Sequence, residues 1–427
     1  MNRTLPTLAA ATVLAGFNPA QAERPGFPIE AQMPEGIIMV TDPRPASDIS
    51  GDPVITFKAP GFKTVSAFAF NEAARAYVDI AKDVPVGEDN TGSFTFNATA
   101  FPKGPVTLTL TATRGVDGKE VRDNNYLQLY NTTGVEGVHG IPENDPPAAI
   151  AHGMKLVFSD NFDEPLSIGK GPGFKYYDHK PPDGSQDFSE WENKEWGTRG
   201  YRFTSFDKPN NPFAKVDNFL RIRASTEAAS TGIIASMQGD GSGFSVKAPF
   251  YIEARFTAPN AIGTWPAFWL LNDGTGHPPK SGCDEIDILE AYGGEGPSTP
   301  NFAHGYMTVV HAWDQPDEAV KEMNKAANQA LRAKNQKPLK DFGVASNWHE
   351  SFHTYGCLIT ETETIYYCDD IEMARHKTMP MSWERPHYFL VNLAIGGISG
   401  WRIDLSRAGG IVDMYIDYVR VYQGERK

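Results

Sequence analysis

From Gly36 to Gly134 the chain breaks into short runs of alternating apolar and polar residues, each closed by Gly, Pro, Asp or Asn. The runs GIIMVTD, DPVITFKAP, TVSAFAFN, YVDIAKDV, GSFTFNATAF and GPVTLTLTATR recur every 8 to 12 residues. A period of two with that punctuation specifies a small all-β sandwich of roughly seven strands, immunoglobulin-like in pattern. The same signal resumes near Met154 and continues to the C-terminus, in FLRIRAS, FYIEARFTAP, TWPAFWLLN, YMTVVHAW, FHTYGCLIT, TIYYCDD, HYFLVNLAI and MYIDYVRVYQ. So much strand in a row predicts a second, larger two-sheet sandwich.

These patterns divide the chain. Residues 23–134 read as an accessory β-sandwich and 154–427 as a larger β-domain. Between them, 135–153 is rich in Pro and Gly without periodicity and reads as a linker. Phe68, Phe70, Phe94, Phe96, Tyr126 and Tyr130 alternate as core residues do, which favours a spacer role for the first sandwich over glycan binding. One segment departs from the strand period. Within 316–342, apolar residues at 319, 320, 323, 326, 327, 330 and 331 form a helical stripe, with Asp317 as its N-cap.

The first residues, MNRTLPTLAAATVLAGFNPAQA, combine a basic start, an apolar run and a small-x-small site. Residues 1–22 therefore read as a signal peptide, which predicts a secreted or periplasmic protein. No run of ~18 apolar residues could span a bilayer. The formal net charge of -14 argues against nucleic acid and anionic surfaces as partners, since both require a basic face. Export allows disulfides. Cys357 and Cys368 flank a predicted hairpin, where either a cross-strand bond or two buried thiols fits the pattern; Cys283 reads as a small filler.

Residues 283–294, CDEIDILEAYGG, set Glu285, Asp287 and Glu290 among aliphatic residues, a costly location for negative charge. Glu285 and Asp287 share a strand face, but strict alternation sends Glu290 to the other side. One β-bulge between Asp287 and Glu290 would return all three to one face. Two glutamates flanking an aspartate could then serve as nucleophile and general acid of a retaining glycosidase. A solvated acidic strand or a calcium site is the alternative for this spacing taken alone.

EIDILE resembles the active-site strand of glycoside hydrolase family 16 in its bulged E-x-D-x-x-E form. GTWPAFWLL, FYIEARF, TVVHAW, the FHTYGCLITETETIYYCDD hairpin, FLVNLAIGG and MYIDYVRVY are similar to further strands of that family, in the expected order over 154–427. The resemblance implies a jelly-roll sandwich with a concave glycan cleft. It further implies an endo-acting, retaining hydrolase of neutral β-1,3 or mixed β-1,3/1,4 glucan, acting as a monomer without a catalytic cofactor.

By the same resemblance Glu285 is the nucleophile, Asp287 the assisting acid and Glu290 the acid/base. Glu253, Arg255 and Asn392 bind sugar hydroxyls, and His311 stands near the central aspartate. Trp265, Trp269, Trp313 and Trp401 are candidates for sugar stacking, and Asp417 for a structural Ca²⁺ seen in some relatives. Two departures stand out. Cys283-Asp284 replaces an aromatic that borders the scissile bond in many members, and the 316–342 insertion exceeds the family core. The rival readings are an endoglycanase of bacterial exopolysaccharide and a non-catalytic glycan-binding jelly roll.

Overall fold

The computed structural model describes residues 34–181, 201–272, 282–294, 304–396 and 403–426. The segment 1–22, read above as a signal peptide, and Trp401 lie outside them. The first domain contains β1 (Met39–Asp42), β2 (Asp48–Ile49), β3 (Val54–Lys58), β4 (Thr64–Asn71), β5 (Ala76–Pro85), β6 (Thr91–Thr95), β7 (Gly104–Val116) and β8 (Lys119–Asn131). They form sheets of three strands (β1-β3-β6) and five (β2-β8-β7-β4-β5) around one apolar core. This is a β-sandwich, as the alternation required.

The segment read as a linker is docked along its length. The Gly140 N–H donates to Asp417 at 2.8 Å, Arg420 donates to the Asn144 carbonyl at 3.1 Å, and Tyr422 to Asp145 at 2.9 Å. A short helix, α1 (Pro147–Ala151), seats Ala149 beside Met154, Tyr251, Leu358 and Tyr422. Polarity and proline content identified an irregular segment but carried no information on what it touches.

The second domain holds β9 (Lys155–Asp160), β10 (Arg202–Phe203), β11 (Phe213–Val216), β12 (Phe219–Ser225), β13 (Ser230–Ala235), β14 (Phe250–Thr257), β15 (Thr264–Asn272) and β16 (Cys283–Glu290). It continues with β17 (Met307–Trp313), β18 (His353–Ile359), β19 (Glu363–Cys368), β20 (Ile371–Lys377), β21 (His387–Ile395) and β22 (Ile411–Gln423). Hydrogen bonding runs β17-β16-β15-β21-β13-β12-β22-β14-β18-β19-β20. The path doubles back at the β12–β13 hairpin, giving two leaves. Alternate residues of both leaves, such as Phe268, Ile286 and Val391 on one and Ile252, Tyr355 and Ile416 on the other, meet in one core. This is a jelly-roll sandwich.

The 316–342 insertion forms α2 (Glu318–Arg332), with the Asp317 carboxylate accepting from the Ala319 N–H at 2.8 Å. Its role is to close an edge. β17 ends the first leaf and would otherwise present unpaired backbone groups. Asn328 accepts from the Val310 N–H at 3.3 Å and donates to its carbonyl at 2.7 Å, and Asn335 does the same for Thr308 at 3.0 and 3.0 Å. Asn324 adds a second donor to Val310 at 2.7 Å. Side-chain amides on and just beyond the helix thus stand in for the missing strand.

Cys357 and Cys368 are free, buried thiols. The register sets Cys357 opposite Tyr366 and Cys368 opposite Tyr355. The two cysteines are therefore diagonal neighbours, about 7–8 Å apart at Cα, beyond ordinary disulfide reach.

Asn328→Leu should lower the unfolding free energy by about 1–2 kcal/mol, since it strands the Val310 N–H of β17 while the Val310 carbonyl keeps Asn324. Urea unfolding measures this, and a change within error would show that solvent can replace the amide.

Candidate active site

The three acids occupy β16, whose pairing with β17 slips between Asp287 and Glu290. Against β15, Asp287 lies opposite Trp269 and Leu289 opposite Phe268, so Ile288 is the extra residue. Ile288 and Leu289 both enter the core. Two successive side chains pointing inward are what a bulge produces, and Asp287 and Glu290 are left on the same outer face as Glu285.

Each glutamate is held by an indole. Trp313 donates to Glu285 at 3.1 Å, and Trp265 donates to Glu290 at 2.9 Å. Tyr292 donates to the same Glu290 oxygen at 2.6 Å and stacks on Trp265, with ring centroids 5.6 Å apart. His311 stacks on Trp313 at 4.6 Å, and its Nε2 lies 3.6 Å from Asp287. Tyr292 was missed in the sequence, although it stands two residues after Glu290 and shares its face by alternation.

Burial raises the pKa of all three acids. For Asp287 the Glu285 and Glu290 charges add to that effect and push it well above the carboxylate range. Burial raises Glu290 against the opposing Tyr292 and Trp265 hydrogen bonds. It also raises Glu285, where Lys180 and the Trp313 N–H oppose it. His311 is lowered by burial, which favours the neutral imidazole. Such a row retains protons that isolated carboxylates would lose, as acid/base chemistry requires.

The remaining predicted residues divide. Trp269 lies on the same outer face, donating to the Asn392 side-chain oxygen at 2.8 Å, with the Lys180 ammonium 5.6 Å from its ring centroid. Asn392 is buried and also donates to the Trp265 carbonyl at 3.3 Å. On that outer face its amide links the two tryptophans. Trp313 is 43% exposed, so its ring can both hold Glu285 and face a ligand.

Glu253 and Arg255 are corrections. They lie on β14 in the other leaf, whose neighbouring residues Ile252, Ala254 and Phe256 fill the core between them and the acids. Glu253 accepts from Arg420 at 2.5 Å and Tyr251 at 2.7 Å. Arg255 pairs with Asp417 and with Glu72 of the first domain. Their shared face is real, but it points away from the site.

Asp417 is likewise reassigned. It is fully buried, and Arg255 already matches its charge while the Gly140 N–H takes a lone pair. A calcium ion would have to displace that guanidinium, so the donor set does not fit the ion. Elsewhere, two groups of metal-capable atoms lie within 4.8 Å of one another among the described residues. One is Glu285, Asp287 and His311 of the acid row itself. In the other, His353, Cys368 and Asp369, His353 and Asp369 already satisfy each other at 2.8 Å.

The Cys283-Asp284 step also differs from expectation. Cys283 packs against the outer-face apolar cluster that includes Leu271 and Tyr388, whereas Asp284 turns inward and accepts from the Ser382 N–H and hydroxyl at 2.7 and 2.9 Å. Only Cys283 can border a ligand.

A jelly roll with three coupled acids on an outer sheet face, framed by indoles, belongs to the carbohydrate-active β-sandwich class. Residues 220–420, which carry the acid row, match the model for glycosyl hydrolases family 16. An endo-1,3-1,4-beta-glycanase of Rhizobium meliloti, EglC, is 33% identical over 221 residues, which is 50% of this chain and 40% of that protein. A second from the same organism, ExsH, is 33% identical over 172 residues, 40% of this chain and 30% of its own. The chain thus spans less than half the length of these two relatives. A laminarinase structure from Flavobacterium sp. UMI-01 is 23% identical, covering 63% of this chain and all of that one, with a TM-score of 0.41.

Burial raises the Asp284 pKa to about 6, above the unfolded value of about 3.9. Its contribution to stability is therefore fully present below pH 4 and lost as pH rises through 6, a change on the order of 2–3 kcal/mol. Asp284→Asn should gain stability relative to the parent between pH 4 and 7. Thermal melts at the two pH values measure this, and parallel shifts would contradict it.

Proposed function

We propose that the chain is an exported, monomeric, endo-acting glycoside hydrolase that cleaves neutral β-1,3 or mixed β-1,3/1,4 glucan with retention of configuration. The observation that carries this reading is the bulge at Ile288, which leaves Glu285, Asp287 and Glu290 on one face with an indole N–H on each glutamate. The match of residues 220–420 to the family model and the names of the two endo-1,3-1,4-beta-glycanase relatives support it. The signal-like segment 1–22 supports export.

A Glu285 oxygen attacks the anomeric carbon and forms a glycosyl ester as the glycosidic C–O bond breaks. Glu290 gives its proton to the departing oxygen. In the second half, Glu290 takes a proton from water as that water attacks the anomeric carbon and releases Glu285. Asp287, protonated by its neighbours' charges, can donate a hydrogen bond to Glu285 and stabilise the carboxylate when it leaves the ester. The complete acid row weighs against a non-catalytic glycan-binding role.

Glu285→Gln should lower hydrolysis by at least about a thousandfold while glycan binding persists. Product sizing on laminarin, barley glucan, curdlan and a bacterial exopolysaccharide distinguishes the glucan reading from its exopolysaccharide rival. Undiminished turnover in the variant, or an initially inverted product by NMR, would remove Glu285 from the nucleophile role. Trp265→Phe removes a hydrogen bond that favours ionised Glu290, so the basic limb of the kcat/KM profile should move to higher pH. An unmoved limb argues against Glu290 as the acid.

A further inference from the structure

The two glutamates are held differently. Glu285 accepts from the Trp313 indole through Oε2. Glu290 accepts from both Trp265 and Tyr292, and both reach the same oxygen, Oε1, at 2.9 and 2.6 Å. Neither donor is on Oε2. An indole N–H can only donate, and a carbonyl oxygen has two lone pairs to offer. Two donors on Oε1 therefore suit a carboxylic acid whose carbonyl oxygen is Oε1 and whose proton sits on Oε2.

The fold fixes this pair of donors. Tyr292 is 1% exposed, too deep to meet a sugar, and its ring stacks on Trp265 with an interplanar angle of 17°. The chain around it is bonded to the segment that enters β15. The Ala291 N–H donates to the Pro266 carbonyl at 3.1 Å, the Gly293 N–H to the Thr264 carbonyl at 2.8 Å, and the Gly294 N–H to the Asn260 side-chain oxygen at 3.0 Å. A Cβ at Gly293 would collide with the Ala261 carbonyl and the Thr264 hydroxyl, so this close approach requires glycine. The phenol and the indole are thus carried on two segments locked to each other.

We propose that Tyr292 is a positioning residue of the acid step: with Trp265 it holds Oε1 of Glu290 as the bound oxygen and leaves Oε2 to carry the proton. This rests on the hydrolase reading above. As the glycosidic C–O bond breaks, the Oε2–H bond breaks with it. The proton joins the departing oxygen, and the electron pair of the Oε2–H bond stays on the carboxylate. Both hydrogen bonds to Oε1 then become charge-assisted and stronger. They stabilise the developing anion more than the neutral acid, which is the difference that lowers a barrier. In the second half, Oε2 takes a proton from water and the acid is restored. The titratable groups around Glu290 are Glu285 and Asp287 of its own strand, His311 of β17 and Tyr292; across the ladder it faces the uncharged Ala267 of β15 and Met307 of β17. Burial and the Glu290 charge keep the Tyr292 hydroxyl protonated, so it remains a donor throughout.

The test uses Tyr292→Phe, which keeps the ring on Trp265, with two substrates. Laminarin needs a proton on its departing oxygen, whereas a dinitrophenyl β-glycoside of a laminarin oligosaccharide does not. In the variant kcat/KM should fall about tenfold on laminarin and less than about twofold on the dinitrophenyl glycoside. The basic limb of the laminarin profile should move up by about one pH unit, because a donor that favours ionised Glu290 is gone. Equal losses on the two substrates, or an unmoved limb, overturn the proposal. A second readout needs no activity. The infrared band of protonated Glu290, assigned by its loss in Glu290→Gln, should move to higher wavenumber in Tyr292→Phe as the carbonyl gives up one of two hydrogen bonds. A band that stays in place overturns the Oε1 assignment even if the chain is a hydrolase. A chain that cleaves neither substrate would fault the hydrolase reading, and the infrared shift then decides the Oε1 assignment by itself.

Discussion

Ile288 and Leu289 are consecutive residues that both enter the core of the sandwich, and the rest of the site follows from that contact. A regular strand would bury one and expose the other. The apolar gain from burying both, about 1.5–3 kcal/mol for each side chain, favours the bulge. The bulge in turn sets Glu290 beside Asp287 on the outer face. Acids on that face are held by partners from β15 and β17, so the pairing of three strands fixes the row as a unit.

The support extends behind the acids. β17 carries His311 and Trp313, and its free edge is closed by asparagine amides from α2 and the turn that follows it. On the far leaf, β14 and β22 bury a charge network rather than a ligand. Arg255 joins Asp417 to Glu72, and Arg223 joins Asp413, whose carbonyl accepts from Gln128 of the first domain. Tyr130, expected in the core of the first domain, packs instead on Phe219, Phe352 and Tyr415 of the second. The first domain is therefore fastened to the leaf opposite the acids by satisfied buried polar groups, which tolerate little misalignment.

Electrostatics then divides labour within a nearly symmetric row. Burial raises all three acids, but their surroundings differ. Asp287 has like charges on both sides, Glu290 has two neutral donors, and Glu285 has an indole and a nearby ammonium. Environments that separate otherwise similar carboxylates are the usual basis of acid and nucleophile roles in one cleft.

The amino-acid order by itself determined the two β-sandwiches, the helix with its Asp317 cap, and the need for a bulge to unite Glu285, Asp287 and Glu290. Each is a local property, because alternation and periodicity report the face a residue shares with its near neighbours. Only the tertiary structure decided where a face points and what meets it. Glu253 and Arg255 share a face as read, yet that face belongs to the opposite leaf. Cys357 and Cys368 flank one hairpin, yet register offsets them. Lys180, more than a hundred residues before Glu285, reaches the Trp269 ring through an irregular turn with no period to announce it. Strand order and register are set by the packing of the whole core, and no short stretch of sequence contains them.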